Sequence, residues 1–271
     1  LEVGQWYLIT QLDSNYAWAS IQDVGGTRDS LMPEILVERA SLANWKNQFE
    51  QEDYIIHVDN KSITHRPDMW GHRGFAREIA ALLNLPLKPL RDFLAIAEIE
   101  PYDYQSPIQS ETQSWAFEIE KNSGCTRFAA HYIPHIEYKP SSLWMAHRLA
   151  RIDARAIDAI VDTTNYVMFD IGQPMHAFDA DKLADKTLIA RKAHQGELVY
   201  TLDNQKIELH KDDIVIANKD KPVALAGIMG DLHSSVTMFT KSILLESACF
   251  DATTIRRTSE RHKIRTEACA R

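Results

Sequence analysis

Between Ile157 and Met168, the residues Ile157, Ile160, Val161, Thr164, Val167 and Met168 recur at three- and four-residue steps. That is the period of an amphipathic helix, which must bury one face. Asn165 falls at the edge of this stripe, beside Asp158 and Asp162, so its amide is expected to look along the buried surface. The helix cannot pass Gly172-Gln173-Pro174, because glycine permits a reversal and proline biases the preceding residue away from helical angles. His176 follows this turn, where it could be brought back toward Asn165. Taken alone, the fragment fits a capped helix followed by a buried structural histidine equally well.

Downstream the pattern shortens to that of strands. They are expected at Thr187 to Arg191, Glu197 to Leu202, Lys206 to Leu209, Ile214 to Ala217 and Ile243 to Ser247, with Asp203-Asn204-Gln205 as a hairpin turn. Ser141 or Ser142 can cap a short helix through Leu149, and Asp251 a closing helix through about His262. In the apolar run from Ile243 to Ala248 a single carboxylate, Glu246, interrupts a buried-strand pattern. Burying it unpaired is expensive, so it either reaches solvent at a strand end or meets a hydrogen-bonded partner in a pocket. Residues Ala224 to Gly230 read as a small-residue loop whose backbone, at Gly227 and Gly230, can approach a ligand closely. No Gly-Lys-Ser/Thr follows and no glycine triplet is present, so this is neither a phosphate-binding loop of the Walker type nor a dinucleotide fingerprint.

Many short strands with few long helices predict an α+β fold: a mixed or barrel-like β core decorated with helices, plus a smaller partial N-terminal domain. The expected boundaries are 1–90 for the N-terminal part, 91–114 for a linker in a segment punctuated by Pro86, Pro89, Pro101 and Pro107, and 115–271 for the main module. The 271 residues are 45% hydrophobic and 25% charged, enough for at least one good core.

A net charge of −8 argues against a general nucleic-acid binder. The charge is uneven, however. Arg256, Arg257, Arg261, His262, Lys263, Arg265 and Arg271 cluster near the C-terminus, and Arg148, Arg151 and Arg155 form a smaller group. Either could steer an RNA acceptor stem, or be a solvated basic helix. Cys125, Cys249 and Cys269 show no zinc-type spacing and no His-Glu-x-x-His occurs, so no metal site is expected. The odd cysteine count and the lack of a long apolar run predict a reducing, cytoplasmic setting without a membrane span.

The ordered segments VDTTNYVMFDIGQPMHAFDADKL, ALAGIMG, SILLESACFDATTIRRT and RTEACAR together resemble the β subunit of bacterial phenylalanyl-tRNA synthetases. Gly124-Cys125-Thr126-Arg127-Phe128 is similar to the opening of that family's editing module, and Asp59 to Leu83 resembles the Arg-Pro-Asp segment and Ala-Arg-Glu helix before it. The resemblance is close over about residues 115 to 271, while residues 1 to about 52 match nothing recognisable and look like the remnant of a preceding domain. The final motif is one that the family continues, so a piece of a longer subunit is expected.

The resemblance implies a tRNA-binding editing module that hydrolyses tyrosine wrongly attached to tRNA(Phe). It implies that His176, Asn165, Thr266 and Gly227 serve the chemistry and that Glu246, Arg155, Ala268 and Gly230 bind substrate. On this reading Glu246 selects the tyrosine hydroxyl, amides from Gly227 to Gly230 hold the oxyanion, and Asn165, His176 and Thr266 position substrate and water. Two positions depart from the family pattern. Ala156 replaces a usual proline, leaving the helix start less rigid. Asp231 replaces a frequent glycine, putting a carboxylate near the expected pocket.

The implied fragment needs no cofactor. ATP and Mg, an α subunit and an α2β2 assembly belong to the whole enzyme, and no adenylate-forming site is recognisable here. Two other readings remain open: a non-catalytic module that orients tRNA or packs on the partner subunit, and a free-standing aminoacyl-tRNA ester hydrolase.

Overall fold

The computed structural model describes residues 9–12, 15–20, 22, 52, 54–93 and 115–271. Most of residues 1–52, and the expected linker from 94 onward, lie outside the described residues. The chain divides into two compact units, one comprising 1–62, 137–166 and 237–239, the other 63–136, 167–236 and 240–271.

In the first unit β1 (Ile9–Leu12) and β2 (Asn15–Trp18) form an antiparallel hairpin. The second unit begins with α1 (His72–Leu83), entered through a turn in which Arg66 grips Asp68 with two hydrogen bonds of 2.8 and 2.7 Å. That pairing holds the Asp68 carboxyl down at about 2. The Arg-Pro-Asp segment is therefore built as a helix entry, with Pro67 opening a 3₁₀ turn.

The strands that follow are β3 (Ala116–Ile119) and β4 (Cys125–Ile133). Next comes α2 (Leu143–Ala150), capped by the Ser142 hydroxyl, which accepts from the Met145 amide at 3.4 Å. α3 (Ala159–Ile171) starts two residues later than the periodicity predicts and ends three later, where Gly172 takes a positive φ of 80°. The remaining strands are β5 (His176–Asp179), β6 (Thr187–Lys192), β7 (Leu198–Tyr200), β8 (Lys206–Glu208), β9 (Ile214–Ala217), β10 (Pro222–Leu225), β11 (Met229–Gly230) and β12 (Ile243–Phe250). Asp251 then caps α4 (Ala252–His262), accepting from the Thr254 amide at 2.8 Å.

A five-stranded mixed sheet runs β11-β10-β9-β6-β3, antiparallel except for β3 beside β6. A three-stranded antiparallel sheet runs β4-β12-β5, and β7 and β8 form a separate hairpin. The fold is the expected mixed α+β, but its strands make several sheets and no closed barrel among the described residues. The segment read as a loop from Ala224 to Gly230 is a tight hairpin, β10 to β11, because Ala224 pairs with Gly230 and Leu225 with Met229.

The core of this unit gathers side chains from both larger sheets, among them Phe178, Leu188, Ile216 and Leu244, all fully enclosed. Enclosing each such side chain contributes about 1.5–3 kcal/mol. A buried polar knot adds to it. The Asp213 carboxylate accepts from Thr258 Oγ1 at 2.9 Å and His262 Nε2 at 2.7 Å, and pairs with Arg261. Burial by itself would raise this carboxyl; the His262, His210 backbone and Thr258 hydrogen bonds outweigh it and hold the group below its usual range.

Candidate functional site

β12 pairs with both its neighbours, and the register decides what each residue faces. Glu246 lies directly opposite His176 on β5 and Ala130 on β4, while Leu244 faces Phe178 and Tyr132. Directly paired residues share a sheet face, so Glu246 and His176 stand side by side on the face that carries Phe128, Phe178 and Leu244 into the core. Glu246 is not at a strand end, and no hydrogen bond or ion pair among the described residues reaches its carboxyl, while the residue as a whole is only 6% exposed. Burial without a partner pushes this carboxyl up to about 8. At neutral pH it is an uncharged acid, with one O–H to donate and a carbonyl to accept.

The imidazole of His176 is equally isolated. Its Nε2 is buried with no hydrogen-bond partner, and burial lowers the ring to about 4, so the ring is neutral. Phe178 meets it edge-on, with ring centroids 4.4 Å apart at 83°. Gly230 closes the other side: a methyl group there would sit 2.6 Å from His176 Nε2. The turn before β5 is pinned by Gln173, whose Nε2 donates to the Ala248 carbonyl at 3.2 Å. His176 is therefore a strand residue, held in register by β12.

The other candidates take varied positions. Gly227, at φ +65°, turns the hairpin toward Phe250 and Ile255, where an added methyl would come within 3.1 and 3.3 Å. The Ile228 amide closes the hairpin on Leu225 O at 3.1 Å, which removes it as an oxyanion donor, whereas the Gly227 amide has no acceptor among the described residues. Thr266 Oγ1 donates its proton to Ile228 O at 3.0 Å, so it fastens the hairpin and retains only acceptor capacity. Ala268 is half-buried in the last turn, its carbonyl accepting from the Arg271 amide at 3.2 Å. The structure thus sets His176 beside both Glu246 and Gly230, and links Gly227 to Thr266 through Ile228. Asn165, half-buried on α3, and Arg155, exposed between α2 and α3, belong to the other unit.

The expectation that Asp231 puts charge into the pocket is not met. Its buried carboxylate accepts from the amides of Tyr200 at 3.1 Å and His233 at 2.9 Å, so it caps a turn. The C-terminal basic cluster is largely structural too. Arg261 pairs with Asp213 and His262 hydrogen-bonds to it, Arg256 pairs with Glu260, and Arg271 donates to Trp70 O at 2.9 Å while lying 5.1 Å over the Phe169 ring. A cleft of about 270 Å³ beside α4 is lined by Lys192, Asp212, Thr254, Arg257, Thr258 and Arg261, and shares no residue with the Glu246 site.

The sequence profile of the B3/4 domain matches residues 124–271, more than half of the chain. The chain belongs to the B3/4 domain family. Over 221 residues, 82% of its length, it is 40% identical to a phenylalanine–tRNA ligase beta subunit of Solibacter usitatus, covering 27% of that protein. It is 35% identical over 265 residues to the corresponding Streptococcus pyogenes subunit, covering 93% of this chain and 31% of the other. This B3/4 chain therefore spans about a quarter to a third of the curated relatives it matches. Among solved structures, an N-terminal fragment of the phenylalanyl-tRNA synthetase beta subunit of Pyrococcus horikoshii overlaps it at a TM-score of 0.41 and 12% identity, over 76% of this chain and 60% of that one. Within the B3/4 match lie all eight candidate residues. Among the described residues no three His, Cys, Asp or Glu side chains are grouped to hold a metal, and no helix is long and apolar enough to cross a membrane.

Proposed function

We propose that this chain carries an editing site that hydrolyses tyrosine esterified to tRNA(Phe), as part of a phenylalanine–tRNA ligase beta subunit. The observation that supports it most is the adjacency of Glu246 and His176 on a core sheet face, where the His176 Nε2 is buried and unpartnered and the largely buried Glu246 carboxyl has no hydrogen bond or ion pair among the described residues. Native proteins rarely leave such groups unpartnered, and strongly shifted carboxyls and imidazoles concentrate where a ligand completes them. A phenol hydroxyl can both donate and accept. Seated against the neutral Glu246 acid and His176 Nε2, it satisfies both, whereas phenylalanine leaves both bare.

The discrimination is of the required kind. An apolar pocket rejects an added hydroxyl only about a hundredfold, while a site built to hydrogen-bond that hydroxyl rejects the analogue without it by about 10⁴-fold or more. Errors made by the first kind of site are removed by the second. The reaction is attack of water on the ester carbonyl, collapse of the tetrahedral intermediate and release of the ribose hydroxyl, giving tyrosine and tRNA. A positioned water and a donor to the oxyanion suffice for so activated an ester, and the unpaired Gly227 amide is assigned the donor role. By the family resemblance alone, Asn165 and Thr266 are assigned the positioning of substrate and water, and Arg155 and Ala268 the binding of substrate. ATP, Mg and the α subunit serve the aminoacylation reaction of the whole α2β2 ligase, in a cytoplasmic setting.

Release of tyrosine from Tyr-tRNA(Phe), beside Phe-tRNA(Phe), is the test. Selective release that disappears in Glu246→Ala and His176→Ala sustains the editing reading. Equal rates on the two esters indicate a general esterase; no release from the full ligase assembly indicates a module that only orients tRNA.

A further inference from the structure

The smaller arginine group has a feature that its sequence spacing does not disclose. Trp144 and Arg148 are one helical turn apart on α2 and share a face. The Arg148 guanidinium carbon lies 4.7 Å from the indole centroid, and its Nη1 donates to the Tyr166 hydroxyl of α3 at 3.1 Å. The Tyr166 ring in turn stands 5.3 Å from the Trp144 ring, tilted by 42°. Two helices thus clamp a cation between aromatic groups, yet the indole stays 43% exposed, unusual for so large an apolar ring. Arg151 follows at the C-cap of α2 and Arg155 four residues on; Asp153 is the sole acid between Ser141 and Ala156. In a chain of net charge −8 this is a local positive strip.

We propose that the Trp144–Arg148–Tyr166 cluster is a stacking platform for an unpaired base of single-stranded RNA, with the arginines along the strip meeting its phosphates. The proposal rests on the reading of the substrate as a tRNA ester and names where an unpaired stretch of that RNA is held. An exposed ring with a guanidinium fixed against it offers flat π and cationic surface to any base without reading its edge. Tying the guanidinium to the Tyr166 hydroxyl removes side-chain freedom that binding would otherwise have to remove. A paired base, stacked within a duplex, cannot lie on such a surface. Single strands are therefore preferred over duplexes, and the arginines make the preference salt-dependent.

The test uses the whole chain, a single-stranded octaribonucleotide and a duplex of the same sequence, with binding followed by indole fluorescence and by filter retention at low salt. The single strand is expected to bind more tightly than the duplex. Trp144→Ala should weaken it by about five- to 150-fold, the range for one lost base stack, while Trp144→Phe retains most of the affinity. Arg148→Gln and Tyr166→Phe, which spare the apolar packing, should weaken it as well, and Arg256→Ala on α4 should not. Absence of single-strand binding, affinity unchanged in Trp144→Ala and Arg148→Gln, or equal binding of the duplex overturns the platform. Hydrolysis of an alkyl ester of tyrosine, which has no base to stack, is measured beside it. Loss of that activity in the parent chain counts against the editing site alone, so the two failures are distinguishable.

Discussion

His176 and Glu246 are direct partners across β5 and β12, and neither side chain has a hydrogen-bond partner among the described residues, His176 Nε2 being fully buried and Glu246 only 6% exposed. They share one face at adjacent positions, the arrangement by which a single phenol hydroxyl would meet both under the proposed function. Glu246→Ala is expected to reduce the preference for tyrosyl over phenylalanyl esters by at least about 100-fold, with the phenylalanyl rate nearly unchanged. Single-turnover hydrolysis of both esters checks it; a retained preference removes Glu246 as selector.

The same pair fixes a pH dependence of stability. The folded Glu246 carboxyl titrates near 8 against an ordinary 4.5, so the native state holds its proton more tightly and stability falls as pH rises between those values. His176, lowered from 6.5 to about 4, acts oppositely: the unfolded chain binds its proton better, so stability rises between 4 and 6.5. The two slopes oppose one another up to pH 6.5. Above it the Glu246 slope stands alone, about 2 kcal/mol lost between pH 6.5 and 8. Urea denaturation across that window should show the loss in the parent chain and its absence in Glu246→Gln.

Gly230 is constrained by its neighbour and not by its backbone angle. Gly230→Ala drives a methyl group into the His176 ring, which Phe178 prevents from retreating. The expected cost is about 1–3 kcal/mol from overpacking, together with loss of hydrolysis. Thermal melting and the tyrosyl-ester assay report the two effects separately, and an unchanged Tm with full activity refutes the packing account.

Asp213 carries a structural burden remote from the candidate site. Asp213→Ala leaves Thr258, Arg261 and His262 without their shared acceptor, and is expected to destabilise the fold by about 2–4 kcal/mol. Calorimetry measures it. A change below about 0.5 kcal/mol would show that the three donors find water instead.

Much of this was legible in the residues themselves. The caps at Ser142 and Asp251 were readable because a capping side chain acts on amides only two or three positions away. β9 matches its expected bounds, since four consecutive apolar residues fit a strand buried on both faces. β3, β4 and β5 were not read as strands, because pairing partners far along the chain define them: β12 extends to Phe250 where Cys125 of β4 continues the ladder. β10 pairs only with its neighbours β9 and β11, and was missed because its small residues read as a loop. The resemblance supplied both Glu246 and His176, but local spacing could not say that they were adjacent, some seventy residues apart. Asp213 escaped notice beside Asp212 in a polar stretch; its place immediately before the fully buried β9 was the available signal. Nothing in the spacing around Trp144 signals its aromatic partner, since Tyr166 is brought to it by α3, some twenty residues on.

The register of β12 makes this site a matter of parity. Strand faces alternate residue by residue, so one residue inserted between Leu244 and Glu246, or one deleted, would swing the acid away from His176 and deliver Ser247 or Leu245 in its place. Two inserted residues would restore the face but not the partner. The count of residues within this strand is therefore fixed by the need to keep one carboxyl and one imidazole on the same side.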